Sequence, residues 1–245
     1  MQLSDLALWQ HQRNAVDMCL GYFASTPSKG ALVQHPTGTG KTGIMAVTGC
    51  LRAVEGPVLI ICPSAALADQ LTREVGSEFW RKVKAPTEWK PEMVFQLLPK
   101  DIGAAADRIT SRAPAERVVV ITTVQALQQI HATPTRYARL VGLFASVLFD
   151  EGHREPAPAW ARAVRGLKAP TILFSATPFR NDIKLFDIDL DHVAFLSFHD
   201  AVDRHLIRNV TIDPTPLPSS LQGFAGAVIA RRDQAIADGS LPPNA

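Results

Sequence analysis

Five short runs in this 245-residue chain are almost continuously apolar: residues 31–34, 57–62, 117–122, 146–150 and 171–175. A strand with one wet face alternates apolar and polar side chains, whereas a strand covered on both faces does not. The runs, of which Pro57-Val58-Leu59-Ile60-Ile61-Cys62 is the plainest, therefore predict strands buried on both sides. Helical patterns fall between them, at about 41–54, 64–79 and 124–130. This alternation predicts an α/β fold with a mostly parallel sheet and helices on both faces.

The composition can fill such a core. Hydrophobic residues make up 47% of the chain and charged residues 20%, close to a soluble globular average. That excludes a mainly disordered, collagen-like or disulfide-dense chain. The net charge of +2 neither declares a nucleic-acid partner nor excludes one, since a local stripe suffices. Cys19, Cys50 and Cys62 are far apart, and His131, His192, His199 and His205 share no metal spacing. Neither a zinc site nor a disulfide framework is expected. The N-terminus has no basic segment followed by an apolar stretch, and no apolar run is long enough to span a bilayer. The expectation is a cytoplasmic chain without a membrane partner.

Two regions interrupt the rhythm. Residues 80–100 are basic, with Arg81, Lys82, Lys84 and Lys90 set around Trp80 and Trp89. They read either as a backbone-tracking patch with stacking rings or as a solvated face diluted by Glu88 and Glu92. Past Arg180 the alternation fades, Asp213-Pro214-Thr215-Pro216-Leu217-Pro218 looks like a linker, and a helix-prone piece covers 219–236. The expected division is a sheet domain over 1–210 and a linker with a helical extension over 211–245.

The strongest chemical signal is His35-Pro36-Thr37-Gly38-Thr39-Gly40-Lys41-Thr42, between an expected strand and an expected helix. Glycines let a backbone turn with its amides inward, forming a nest for phosphate oxygens, and the new helix adds free amides and a positive dipole end. Thr37, Gly38, Thr39 and Gly40 would form that nest. Lys41 would reach the β- and γ-phosphates, and the Thr42 hydroxyl would hold Mg²⁺. The general pattern has glycine where His35 stands.

Asp150-Glu151-Gly152-His153 closes another apolar run. Ligands of open α/β sheets sit beyond the carboxyl ends of strands, so these acids lie beside the phosphate loop if the two strands are neighbours. Asp150 would then hold the metal shell and Glu151 would orient and deprotonate an attacking water. By itself, Asp-Glu at a strand end also reads as a helix cap with a solvated turn.

Phosphate loop, Asp150-Glu151-Gly152-His153 and Ser175-Ala176-Thr177-Pro178 follow one another in order, each at a strand end. This set resembles the first RecA-like motor domain of superfamily-two helicases and translocases, of the DEAD/DEAH-box kind, over roughly residues 8–180. The run continuing to Arg180 is most similar to double-strand translocases and restriction-enzyme motor subunits. The resemblance implies a RecA-like three-layer sandwich, ATP and Mg²⁺ as cofactors, and Lys41, Asp150 and Glu151 as catalytic residues. It also implies that Gln12, in Leu8-Trp9-Gln10-His11-Gln12, bonds the adenine edge, although Arg and Tyr are commoner where Trp9 and His11 stand. His153, Ser175 and Thr177 would couple the γ-phosphate to other segments; the two hydroxyls also read as caps of the turn after a strand. Pro63 and Ser64, with Thr123 and Gln125, resemble segments that grip nucleic-acid phosphates through helix N-terminal amides. By residue type alone both are equally plain helix caps.

In the family a second RecA-like domain supplies arginines to the transferring phosphoryl group. This sequence shows no second set of strands. The implied function is the ATP-binding N-terminal motor domain of a nucleic-acid-dependent ATPase. Its expected partners are nucleic acid, above all double-stranded DNA, and a second RecA-like domain in cis or in trans. The alternative is an ATP-binding regulatory or scaffold module. A small-molecule kinase lacks support, since Ser-Ala-Thr-Pro has no role there.

Overall fold

The computed structural model describes residues 2–25, 27–151, 158–177, 187–208 and 220–239. Seven strands form one sheet: β1 (Gly30–Gln34), β2 (Val58–Cys62), β3 (Met93–Gln96), β4 (Val118–Thr123), β5 (Ser146–Asp150), β6 (Thr171–Ser175) and β7 (Ile188–Phe195). Their order is β3-β4-β2-β5-β6-β1-β7, and every pairing is parallel. Parallel neighbours need long crossovers, which helices supply. The helices of the described residues are α1 (Gln10–Ala24), α2 (Lys41–Arg52), α3 (Ala65–Arg73), α4 (Phe79–Lys82), α5 (Ile102–Thr110), α6 (Val124–His131), α7 (Pro134–Tyr137), α8 (Pro158–Arg165), α9 (Phe198–Asp203) and α10 (Leu221–Ala237), of which α2 to α8 lie between strands.

The continuous apolar runs are explained by two cores. Along β2, Val58, Ile60 and Cys62 enter one core with Val16, Cys19, Ile44 and Leu71. Leu59 and Ile61 enter the other, with Ile109, Leu127, Ile130 and Val164. Successive side chains point to opposite faces, so only an unbroken apolar run satisfies both. The architecture is a RecA-like α/β sandwich.

Two strands had no counterpart in the expected pattern, β3 and β7, and they are the two edges. Every β3 residue is half-buried, and β7 leaves Leu190 and Phe195 exposed. The basic stretch around β3 also differs from the stacking-patch reading. Trp80 and Trp89 are buried, their rings 6.2 Å apart and 27° from parallel, and Trp80 Nε1 donates to the Val75 carbonyl at 2.7 Å. They belong to the core and offer no face to a base. Lys82 pairs with Glu74, and Glu92 with Arg117 at 2.6 Å.

The chain divides into two compact units, Met1–Ile207 and Arg208–Ala245. In the second, Ser220 caps α10 by accepting from Gly223 N–H at 3.2 Å. Residues 209–219, with the expected linker, lie outside the described residues. Among the described residues no helix is long and apolar enough to cross a membrane, and no group of His, Cys, Asp and Glu could hold a metal by itself.

Candidate nucleotide site

β1 ends at Gln34, and α2 begins at Lys41. Between them Gly38 and Gly40 take φ of 89° and 81°, the left-handed region where a Cβ is penalised. At Gly40 a Cβ would also collide with the Gln12 amide. Thr37 and Gly38 are exposed at the crown, and Thr42 is half-buried in the first turn of α2. Thr39 is fully buried, and its Oγ1 donates to the Pro36 carbonyl at 2.7 Å. Its side chain shapes the loop and leaves only backbone to meet a ligand.

The outward carbonyls of the loop are held by α1. His11 Nε2 donates to the Thr39 carbonyl at 2.9 Å, and Gln12 Nε2 donates to the Gly40 carbonyl at 3.3 Å. Gln12 Oε1 accepts from the Trp9 backbone N–H at 3.0 Å. Each end of the Gln12 amide thus makes one bond within the fold, and its second N–H and second lone pair are not used by these bonds. Lys41 Nζ donates to the carbonyls of His35 and Pro36 at 3.0 and 3.3 Å. Burial lowers its pKa, while Glu151 and Asp150 act in the opposite direction.

The acids reach this loop by an indirect route. β1 and β5 are not neighbours, so the adjacency on which the sequence expectation depended is absent. β6 stands between them, with Ser175 level with Gln34 and Phe174 level with Asp150. Two strand spacings separate β1 from β5, about 10 Å. Lys41 still acts on Asp150 electrostatically. Asp150 is buried, and its pKa is pushed up to about 6 by burial first and by Glu151 second. Glu151 takes φ of 54°, a conformation that costs a non-glycine residue on the order of 1–3 kcal/mol and clusters at functional sites.

The Ser175 hydroxyl donates to the Thr177 carbonyl at 2.9 Å and accepts from the Thr177 N–H at 3.1 Å. These bonds are those of a cap on the turn after β6, and Thr177 itself is exposed. His153 lies outside the described residues, as do Gly152, Pro178, Phe179 and Arg180.

The candidate nucleic-acid segments stand at the same end of the sheet. Ser64 caps α3 by accepting from Leu67 N–H at 3.3 Å, and Thr123 caps α6 by accepting from Ala126 N–H at 3.1 Å. Cys62 pairs with Thr123 in the β2–β4 register, so the two helix N-termini start side by side. Ser64 and Gln125 are exposed, and Pro63 is half-buried. A cavity of about 320 Å³ opens at the opposite end of the strands, beside Lys29, Lys168 and Thr171. Lys29 faces Asp187 there at 3.9 Å, and none of the candidate nucleotide residues line it.

One contact went unseen in the sequence. The rings of His11 and His35 lie 5.5 Å apart, the two positions joined only by the fold. Burial, then His11 and Lys41, lowers the His35 pKa to about 4.

A phosphate-type loop and an acid pair at the carboxyl end of a parallel RecA-like sheet define a superfamily-two helicase-like motor domain, an ATP-binding domain of the helicase and translocase class. Residues 5–180 match the family described as type III restriction enzyme, res subunit, and the chain belongs to that family. No curated protein matches it. Among solved structures, it is similar to a nuclease-deletion mutant of the type ISP restriction-modification enzyme LlaGI, solved with a DNA substrate mimic. That likeness has a TM-score of 0.57 at 18% identity and covers 96% of this chain and 23% of that one. The Hef helicase domain of Pyrococcus furiosus gives 0.46 at 20% identity, over 69% of this chain and 35% of that one. The UvsW helicase of bacteriophage T4 gives 0.43 at 18% identity, over 69% and 52%. The chain thus spans only part of each of these proteins.

Proposed function

We propose that this chain is the nucleotide-binding half of a nucleic-acid-dependent ATPase, a translocase or helicase acting on duplex DNA. The observation that carries the reading is Lys41 in the loop facing, across β6, the acids Asp150 and Glu151. Lys41 now bonds two loop carbonyls. Exchanging them for phosphate oxygens replaces neutral partners with charged ones, which form the stronger hydrogen bonds.

The donor set suits Mg²⁺, a hard cation that takes oxygen ligands. The Thr42 hydroxyl and the Asp150 carboxylate would hold it, and the buried Asp150, with its raised pKa, is a carboxyl that a cation would help to ionise. When bound, the ion would neutralise charge on the β- and γ-oxygens. Glu151 would orient the attacking water and take its proton. The amides of residues 37–42 would cradle the phosphates.

On this reading, residues 1–210 form the first RecA-like domain and 211–245 a connector with a helical extension. A second RecA-like domain, in cis or in trans, completes hydrolysis. Ser175, Thr177 and His153 relay the nucleotide state. The paired helix starts at Pro63-Ser64 and Thr123-Gln125 grip phosphates of the DNA. The LlaGI likeness, to an enzyme solved with a DNA substrate mimic, supports DNA over RNA.

The test is steady-state ATPase with and without duplex DNA. The isolated chain should bind Mg·ATP weakly and turn it over very slowly. Robust DNA-stimulated turnover abolished by Lys41→Ala would refute the need for a second domain. Absence of any nucleotide binding would overturn the reading as a whole.

A further inference from the structure

Consecutive residues at the start of α1 meet consecutive carbonyls of the loop: His11 bonds Thr39 and Gln12 bonds Gly40. A trans peptide is rigid, and its C=O and N–H point in opposite directions. The Thr39 carbonyl and the Gly40 N–H share one such plane, as do the Gly40 carbonyl and the Lys41 N–H. Whatever pins the Thr39 carbonyl outward therefore aims the Gly40 amide inward. His11 does the pinning, as the Nε2–H donor, from a buried position.

Its ring is held from both sides. Trp9 lies 5.6 Å away at 35°, and His35 5.5 Å away at 57°. His35 is itself anchored, its N–H donating to the Ser175 carbonyl at 3.1 Å and its carbonyl accepting from Lys41. Its side chain is 2% exposed, and Nδ1 has no partner among the described residues. A buried ring nitrogen without a partner among the described residues is poorly explained as filler, because buried polar atoms are normally paired. It is explained as the wall that fixes the His11 ring. The two residues lie in different elements, one in α1 and one after β1, and they meet in space.

We propose that His11, braced by His35, is a positioning residue of the nucleotide site, which aims the Gly40 amide at phosphate through the Thr39 carbonyl. This rests on the reading of residues 35–42 as a phosphate cradle.

The first test needs no nucleotide. In protein labelled with ¹⁵N at histidine, His11 should show the Nε2–H tautomer with a slowly exchanging proton. An Nδ1–H tautomer would overturn the tether. The second test is competition against a fluorescent ATP analogue with Mg²⁺. His11→Phe should weaken both ATP and inorganic tripolyphosphate about tenfold, the effect of one lost hydrogen bond. His11→Gln, which keeps a donor, should recover to within about threefold of wild type. A loss for ATP with tripolyphosphate unchanged would place His11 on the base and overturn the proposal. His35→Ala should cost a similar factor, and the double variant little more than either single one; multiplied losses would remove His35 from the device. Wild-type protein that binds neither probe would sink the phosphate-cradle reading, while the tautomer measurement would still decide the tether.

Discussion

Ser175 on β6 pairs in parallel register with Gln34 on β1, and its carbonyl accepts the His35 backbone N–H at 3.1 Å. The strand bearing the Ser-Ala-Thr-Pro run is therefore bonded directly to the phosphate loop, and on its other side to the strand of Asp150. The proposed relay between loop and acids would have one strand to cross.

That arrangement predicts a separation of effects. Ser175→Ala removes the hydroxyl that closes on Thr177. Nucleotide affinity should change by less than about threefold, and stability should fall by about 1 kcal/mol, the net worth of a typical hydrogen bond. If a second RecA-like domain completes hydrolysis as proposed, DNA stimulation of ATPase in its presence should fall much further. Equilibrium binding, thermal melting and stimulated turnover measure the three quantities, and parallel losses in all of them would contradict the relay.

Lys41→Ala should weaken Mg·ATP by about a hundredfold or more, since it removes a charge-assisted partner from phosphate. Its melting temperature should stay close to wild type, because the ammonium is only partly repaid by the loop carbonyls for its burial. Calorimetric titration and a thermal melt are sufficient.

Asp150→Asn should abolish the dependence of nucleotide affinity on Mg²⁺ while leaving metal-free binding within about threefold, since Asp150 enters the proposed site only through the ion. Binding measured with Mg²⁺ and with EDTA separates the two.

His35 ties stability to pH. Its folded pKa is lowered from 6.5 to about 4, by burial first. The unfolded chain then binds the proton more readily, so the contribution is full above pH 6.5 and is lost as the pH falls toward 4. The loss is of order 2–4 kcal/mol. His35→Ala should flatten this part of the curve, whatever its effect at neutral pH. Urea unfolding from pH 7 to pH 4 supplies the comparison, and equal slopes would contradict it.

Trp80→Ala should cost about 3–5 kcal/mol as a core truncation. The salt dependence of DNA binding should not change, because the ring packs on Trp89. Chemical denaturation and a salt titration check the two halves.

The interior of the sheet and the loop at its carboxyl end were legible in the amino-acid order. β1, β2, β4, β5 and β6 are covered on both faces, and unbroken apolar runs are the mark of that burial. Gly38 and Gly40 declare themselves because a left-handed backbone turn admits few substitutes. The edges were not legible: among the described residues β3 and β7 pair on one side only, and half-buried or exposed positions tolerate the mixed residues found in Met93-Val94-Phe95-Gln96 and Ile188-Asp189-Leu190-Asp191. The stretch around Trp80 and Trp89 read either as a stacking patch or as a solvated face, because charged neighbours in sequence say nothing about which way a side chain turns.

Local order thus determined which segments become buried strands and which loop turns on left-handed glycines into a helix, since both depend on neighbours along the chain. The fold alone decided that β6 stands between the strands that lead to Lys41 and Asp150, that Gln12 donates to Gly40, and that His11 meets His35. Those are contacts between residues far apart in sequence, set by strand order and crossover, and nothing in the spacing of residues along the chain encodes them.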